Sequence, residues 1–162
     1  MSTHRLDAWV GGRRLGTLSY HDDTGRCAFD YNLQWVRFGS AFPLSPALPF
    51  ERSPDITDER HSVSVRRFFE NLLPEGKALG DAVAVHRLSK ANLYGLLLAL
   101  GRERAGAVSL LAEGTRPEQV PDSRREITRE ALAGRIRRRA HEPFNVRDGQ
   151  MRRSPVVGLA RW

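Results

Sequence analysis

Along the first thirty residues apolar and polar positions alternate. L-D-A-W-V and R-L-G-T-L-S-Y each alternate, and Gly11-Gly12 between them supplies a turn that tolerates positive φ. Leu6 to Tyr20 is therefore predicted to be a β-hairpin. H-D-D-T-G-R makes the next turn and R-C-A-F-D-Y a third strand, so one meander accounts for this part of the chain. N-L-Q-W-V-R-F-G-S then predicts a helical turn bearing on the sheet through Leu33, Val36 and Phe38 together with Trp35.

Prolines 43, 46 and 49 recur at every third position of A-F-P-L-S-P-A-L-P-F. Proline fixes φ and removes a donor, which predicts an extended strip covering a sheet edge. From Val65 the period changes: Val65, Phe68, Phe69, Leu72 and Leu73 recur at helical spacing, and Pro74 stops the helix. A second helix follows in E-G-K-A-L-G-D-A-V-A-V-H-R-L. A third, S-K-A-N-L-Y-G-L-L-L-A-L, is expected to be capped by Ser89 and to end at Gly101. G-A-V-S-L-L returns to a short strand. This order predicts an α+β fold, a small antiparallel sheet with two or three helices packed on one face. Residues 1–112 form that unit, 113–127 a proline-punctuated linker, and 128–162 a basic helix, begun at Thr128, and a hairpin with Asp148-Gly149 at its turn.

Charge sharpens the division. Of the net +7, residues 1–100 carry 12 basic and 11 acidic groups, whereas residues 101–162 carry 14 and 8. The basicity belongs to the tail. Cys27 is the only cysteine, which excludes an internal disulfide and a cysteine zinc cluster, fits a reducing cytoplasm, and lies on a predicted strand where packing is its expected role. His4, His21, His61, His86 and His141 form no i, i+4 pair, and Asp22 and Asp23 read as turn formers. No window approaches the ~18 consecutive apolar residues of a membrane span, so no membrane partner is expected.

The segment with the greatest density of chemistry is F-F-E-N-L-L-P-E-G, Phe68 to Gly76. Glu70 and Glu75 are separated by a helix stop, so they do not share a face as an acid/base pair. Phe68, Phe69, Leu72 and Leu73 instead supply an apolar face, and Asn71 can bond backbone at the helix end. The segment reads as a structural corner, with no catalytic or metal residue assigned. Arg135, Arg137, Arg138 and Arg139 form a basic run that could contact phosphates, but no aromatic stackers interleave with it. G-R-E-R-A-G lacks the Gly-Lys-Ser/Thr of a Walker loop.

Three segments, in order, resemble the HipA family of bacterial type II toxin-antitoxin kinases: W-V-G-G-R-R-L-G-T-L, R-R-F-F-E-N-L-L-P-E-G, and N-L-Y-G-L-L-L-A-L-G-R-E-R-A-G-A-V-S-L. The resemblance covers about residues 6–112 and includes Gly101 and Gly106. It implies the family's noncatalytic amino-terminal subdomain, which precedes a protein-kinase-like core using ATP and Mg²⁺. It also implies two partners, a HipA-like kinase core and a DNA-binding helix-turn-helix antitoxin. P-F-N-V-R-D-G-Q-M-R-R-S is similar to the hairpin leading into the family's phosphate-binding loop, whose serine Ser154 matches. P-V-V-G-L-A-R-W departs from the loop pattern, and no catalytic Asp, metal-binding Asp or loop Lys follows. The expectation is a binding role, with no kinase activity and no cofactor in this chain. Alternatives are a standalone module restraining a separately encoded kinase, and a basic nucleic-acid binder.

Overall fold

The structure is a computed structural model that describes residues 2–101, 107–120 and 128–138. Strand β1 spans Thr3–Val10 and β2 Arg13–His21. Gly11 and Gly12 join them at φ +53° and +80°, the primed turn that matches the twist of paired strands. Ala8 faces Gly16 but Trp9 faces Arg14, so Leu15 is the extra residue of a β-bulge. Leu15 is fully buried. A Cβ on Gly16 would stand 2.4 Å from the Asp30 carbonyl and 2.6 Å from the Phe29 ring, which leaves room only for glycine.

Strand β3 (Arg26–Tyr31) pairs antiparallel with β2 and ends that side of the sheet. The helical turn α1 (Leu33–Val36) is capped by the Asn32 side chain, which accepts from the Gln34 amide at 2.8 Å. Its inward residue is Trp35. Leu33, expected on the sheet, is 70% exposed, because one four-residue turn has a single inward position and the large indole takes it. The Arg13 guanidinium stacks over Phe38 at 4.3 Å.

The proline strip covers the β3 edge, as its composition predicts, but forms no strand there. Its only bridge is the isolated Ser45–Leu48 pair. Tyr31 does the joining: its hydroxyl accepts from the Leu44 amide at 2.7 Å and donates to the Leu48 carbonyl. Proline spacing removes the amides that a ladder would need, so one side chain replaces them.

Helix α2 (Asp58–Glu70) begins seven residues before its apolar period becomes visible. Thr57 caps it, accepting from the Arg60 amide at 3.3 Å, and its first turns are polar, which hides them from a hydrophobic pattern. Helix α3 spans Gly76–His86 and α4 Leu93–Leu100. Asn92, not Ser89, caps α4, accepting from the Gly95 amide at 2.8 Å, while Ser89 closes the preceding turn through the Ala91 amide. Strand β4 (Val108–Ala112) returns antiparallel beside β1, giving the order β3-β2-β1-β4. A 3₁₀ turn at Pro117–Gln119 and helix α5 (Arg129–Arg138) follow.

One core forms under one face of the sheet. Leu6, Ala8, Leu18, Phe29 and Leu110 meet Val65 and Phe69 of α2 and Leu93 and Leu97 of α4. This is the α+β architecture expected of the sequence.

Candidate functional site

The corner Phe68–Gly76 is built from the end of α2. Phe69 is fully buried, 5.7 Å from the Phe29 ring, and Phe68 meets it edge to face at 5.2 Å. Asn71 caps the helix through its backbone amide, which donates to Arg67. The Leu72 and Leu73 amides then donate to the Phe69 and Glu70 carbonyls, tightening the last turn before Pro74. Gly76 follows at φ +58°, where a side chain would be strained. Leu72 and Leu73 are half-buried against the core. Glu70 accepts from Arg66 Nε at 2.8 Å, and that bond is the main cause of the upward shift of the Arg66 pKa. Glu75 is exposed and makes no side-chain cap of α3. The two carboxylates remain on separate elements, so the corner holds helices in place and presents no acid/base pair.

A cleft of about 520 Å³ opens along the β3 edge, lined by Arg26, Phe29, Tyr31, Phe50, Arg52 and His61 among others. Both of its arginines are engaged in ion pairs. Arg26 pairs with Glu59, and Arg52 with Asp58 at 2.8 Å. Burial lowers the His61 pKa, the nearby Arg52 lowers it further, and the Asp30 and Asp58 carboxylates partly offset both. Burial also raises the Cys27 thiol and the Tyr31 phenol. A thiol held protonated in the core is a packing group. Among the described residues no group of three or more His, Cys, Asp or Glu side chains could hold a metal.

Gly101 ends α4 against β4. A Cβ there would stand 2.3 Å from the Leu97 carbonyl and 2.7 Å from Leu110 Cβ, and its own carbonyl accepts from the Leu110 amide at 2.8 Å. The glycine is a contact point between helix and sheet. Gly106, Arg139 and Ser154 lie outside the described residues. Arg135, Arg137 and Arg138 fall on α5, where Arg137 is exposed and its Nε donates to the Ala133 carbonyl at 3.4 Å.

Sequence reasoning missed one polar cluster. Asp7 is 2% exposed, and its Oδ1 accepts from Arg14 at 2.7 Å and from Thr17 Oγ1 at 3.2 Å. Arg14 also donates to Thr17 Oγ1 at 2.7 Å, and Asp7 Oδ2 accepts from the Gly114 amide at 3.0 Å. In strand alternation Asp7 reads as a solvent position, and nothing local marks a partner more than a hundred residues away.

The HipA N-terminal domain family matches residues 6–111. The chain is 32% identical over 158 residues to the serine/threonine-protein kinase toxin HipA of Shewanella oneidensis, covering 97% of this chain and 34% of that protein. It is 33% identical over 117 residues to a putative kinase of Sinorhizobium fredii, covering 72% of this chain and 26% of the relative. Among solved structures it superposes on a chain of the Shewanella oneidensis complex of HipA, HipB and operator DNA with a TM-score of 0.67 and 30% identity. That superposition covers 94% of this chain and 33% of the other. The chain thus spans about a quarter to a third of the length of these relatives. A domain match over most of the chain and a matching sheet and helix arrangement agree, and the protein belongs to the HipA family, with residues 6–111 as its N-terminal domain.

Proposed function

We propose that this chain is the noncatalytic amino-terminal portion of a HipA-like toxin kinase of a type II toxin-antitoxin system, and that it acts by binding protein. The observation that carries this reading is the closure of residues 6–111 into a sheet with its own helix-covered core, β4 returning beside β1. Its ionisable groups serve that closure: Glu70 holds Arg66, Asp7 holds Arg14, and Cys27 is packed away. Phosphoryl transfer needs phosphate donors, metal ligands and a base acting together. In this reading those groups, with ATP and Mg²⁺, belong to a kinase core, and this chain contributes a docking surface. The partners are a HipA-like kinase core, a helix-turn-helix antitoxin, or both. A solved relative in complex with HipB and operator DNA supports partners of that kind.

The same closure favours a second reading, a standalone module that binds and restrains a separately encoded HipA-like kinase. One experiment addresses both. The full chain is titrated calorimetrically into a HipA-like kinase core lacking its own N-terminal domain, and autophosphorylation is followed in parallel. Saturable binding that survives truncation after Ala112 is the expected result. Unchanged or increased activity marks a constituent of the kinase, decreased activity marks a restraining module, and no binding by the full chain overturns both readings.

A further inference from the structure

The chain does not leave the sheet freely after β4. The Thr115 amide turns back to the Ala112 carbonyl at 2.9 Å, Gly114 takes φ +80°, and the 3₁₀ turn at Pro117–Gln119 is closed by the Arg116 amide on Gln119 Oε1 at 2.9 Å. This brings Glu118 to the β1–β2 turn, where its carboxylate would lie 3.7 Å from a Cβ on Gly12. The exposed Arg5–Glu113 pair adds little, as solvent-screened pairs do. What fastens this strap is Asp7, the one buried carboxylate among the described residues, whose two oxygens face different elements. Oδ1 takes Arg14 and Thr17 of β2, and Oδ2 takes the Gly114 amide beyond β4.

We infer that Asp7 is a latch that straps residues 113–119 across the β1–β2 hairpin and so fixes the direction in which the chain leaves the N-terminal domain. Asp7 is a positioning residue. A carboxylate is needed because both of its oxygens must accept. In Asp7→Asn the single carbonyl oxygen stays with the charged Arg14, and the amide nitrogen turns a donor toward the Gly114 N–H, so the strap is released while the strand contacts remain. The inference concerns this fold alone and stands whether or not a kinase partner is bound.

The test uses the full 162-residue chain. Hydrogen exchange at the Gly114 amide is measured together with endoproteinase Glu-C cleavage after Glu113 and Glu118, each referred to cleavage after the exposed Glu75. Losing a charge-assisted bond at one amide should speed local opening by about tenfold to a hundredfold. The latch is supported if Asp7→Asn accelerates exchange at Gly114 and cleavage at Glu113 and Glu118 by that factor while Glu75 is cut at its original rate. Gly114→Ala, which strains the strap and leaves the Asp7–Arg14 pair intact, should give the same pattern. Thr17→Val should leave all three sites unchanged. Unchanged Gly114 exchange in Asp7→Asn, or cleavage at Glu75 rising in step with the other sites in both variants, overturns the latch.

Discussion

The two edges of the sheet are closed by different means. At the β4 edge the closure is backbone to backbone: the Gly101 carbonyl accepts from the Leu110 amide, and the glycine lets helix and strand approach within contact. At the β3 edge the closure is made by side chains. Ser62 Oγ accepts from the Cys27 amide at 2.9 Å, His61 lies half-buried with Phe29 and Asp30 in the cleft along this edge, and Tyr31 ties the proline strip. An unpaired strand edge is a template for unwanted pairing, so both are sealed. The difference is in what a seal depends on. The β4 seal depends on the absence of a side chain, and the β3 seal depends on α2 being held down so that Ser62 reaches the Cys27 amide.

That contrast can be broken from either side. The largest effect is expected from Phe69→Ala, which removes the buried ring anchoring α2 over Phe29 and should cost ~3 to 5 kcal/mol in chemical denaturation. Exchange at the Cys27 amide should rise with it. Gly101→Ala should cost about 1 to 3 kcal/mol, as overpacking does, and should expose the Leu110 amide while sparing Cys27. Equal exposure of both amides in either variant would mean that the edges open as one unit.

The smallest effect is titration of His61. Its folded pKa is lowered, so the unfolded chain takes the proton first, and stability present above the unfolded pKa is lost as pH falls through it toward the folded value. Wild type should lose stability below about pH 6.5, the usual histidine value, relative to His61→Asn, which keeps a polar side chain there without titrating. Parallel stability curves for the two proteins would mean that His61 is not desolvated at the β3 edge.

Much of this fold is legible in the residues. Strand alternation and Gly11-Gly12 give the meander, Pro74 gives the corner, and the three family segments lie on the hairpin, on the α2–α3 junction and on the α4–β4 return. Less legible is whatever depends on contacts distant in sequence. The first turns of α2 are polar because they face solvent and the β3 edge, so no apolar period announces them. The Ser89 and Asn92 caps are chemically equivalent in sequence, and only the path of the preceding turn selects Asn92. Asp7 sits where alternation predicts solvent, and its burial follows from Arg14 and Gly114, which the folded sheet brings to it.

The pairing of Leu6 with Ala112 has a consequence for gene architecture. Entry to and exit from the domain lie on neighbouring strands, so the whole unit hangs from one point, like a bead on a loop of thread. Neighbouring ends are what fusion, excision and insertion require, because material can be joined there without re-registering any strand. A fold of this kind can be appended to a larger polypeptide or encoded apart from it with the same internal packing.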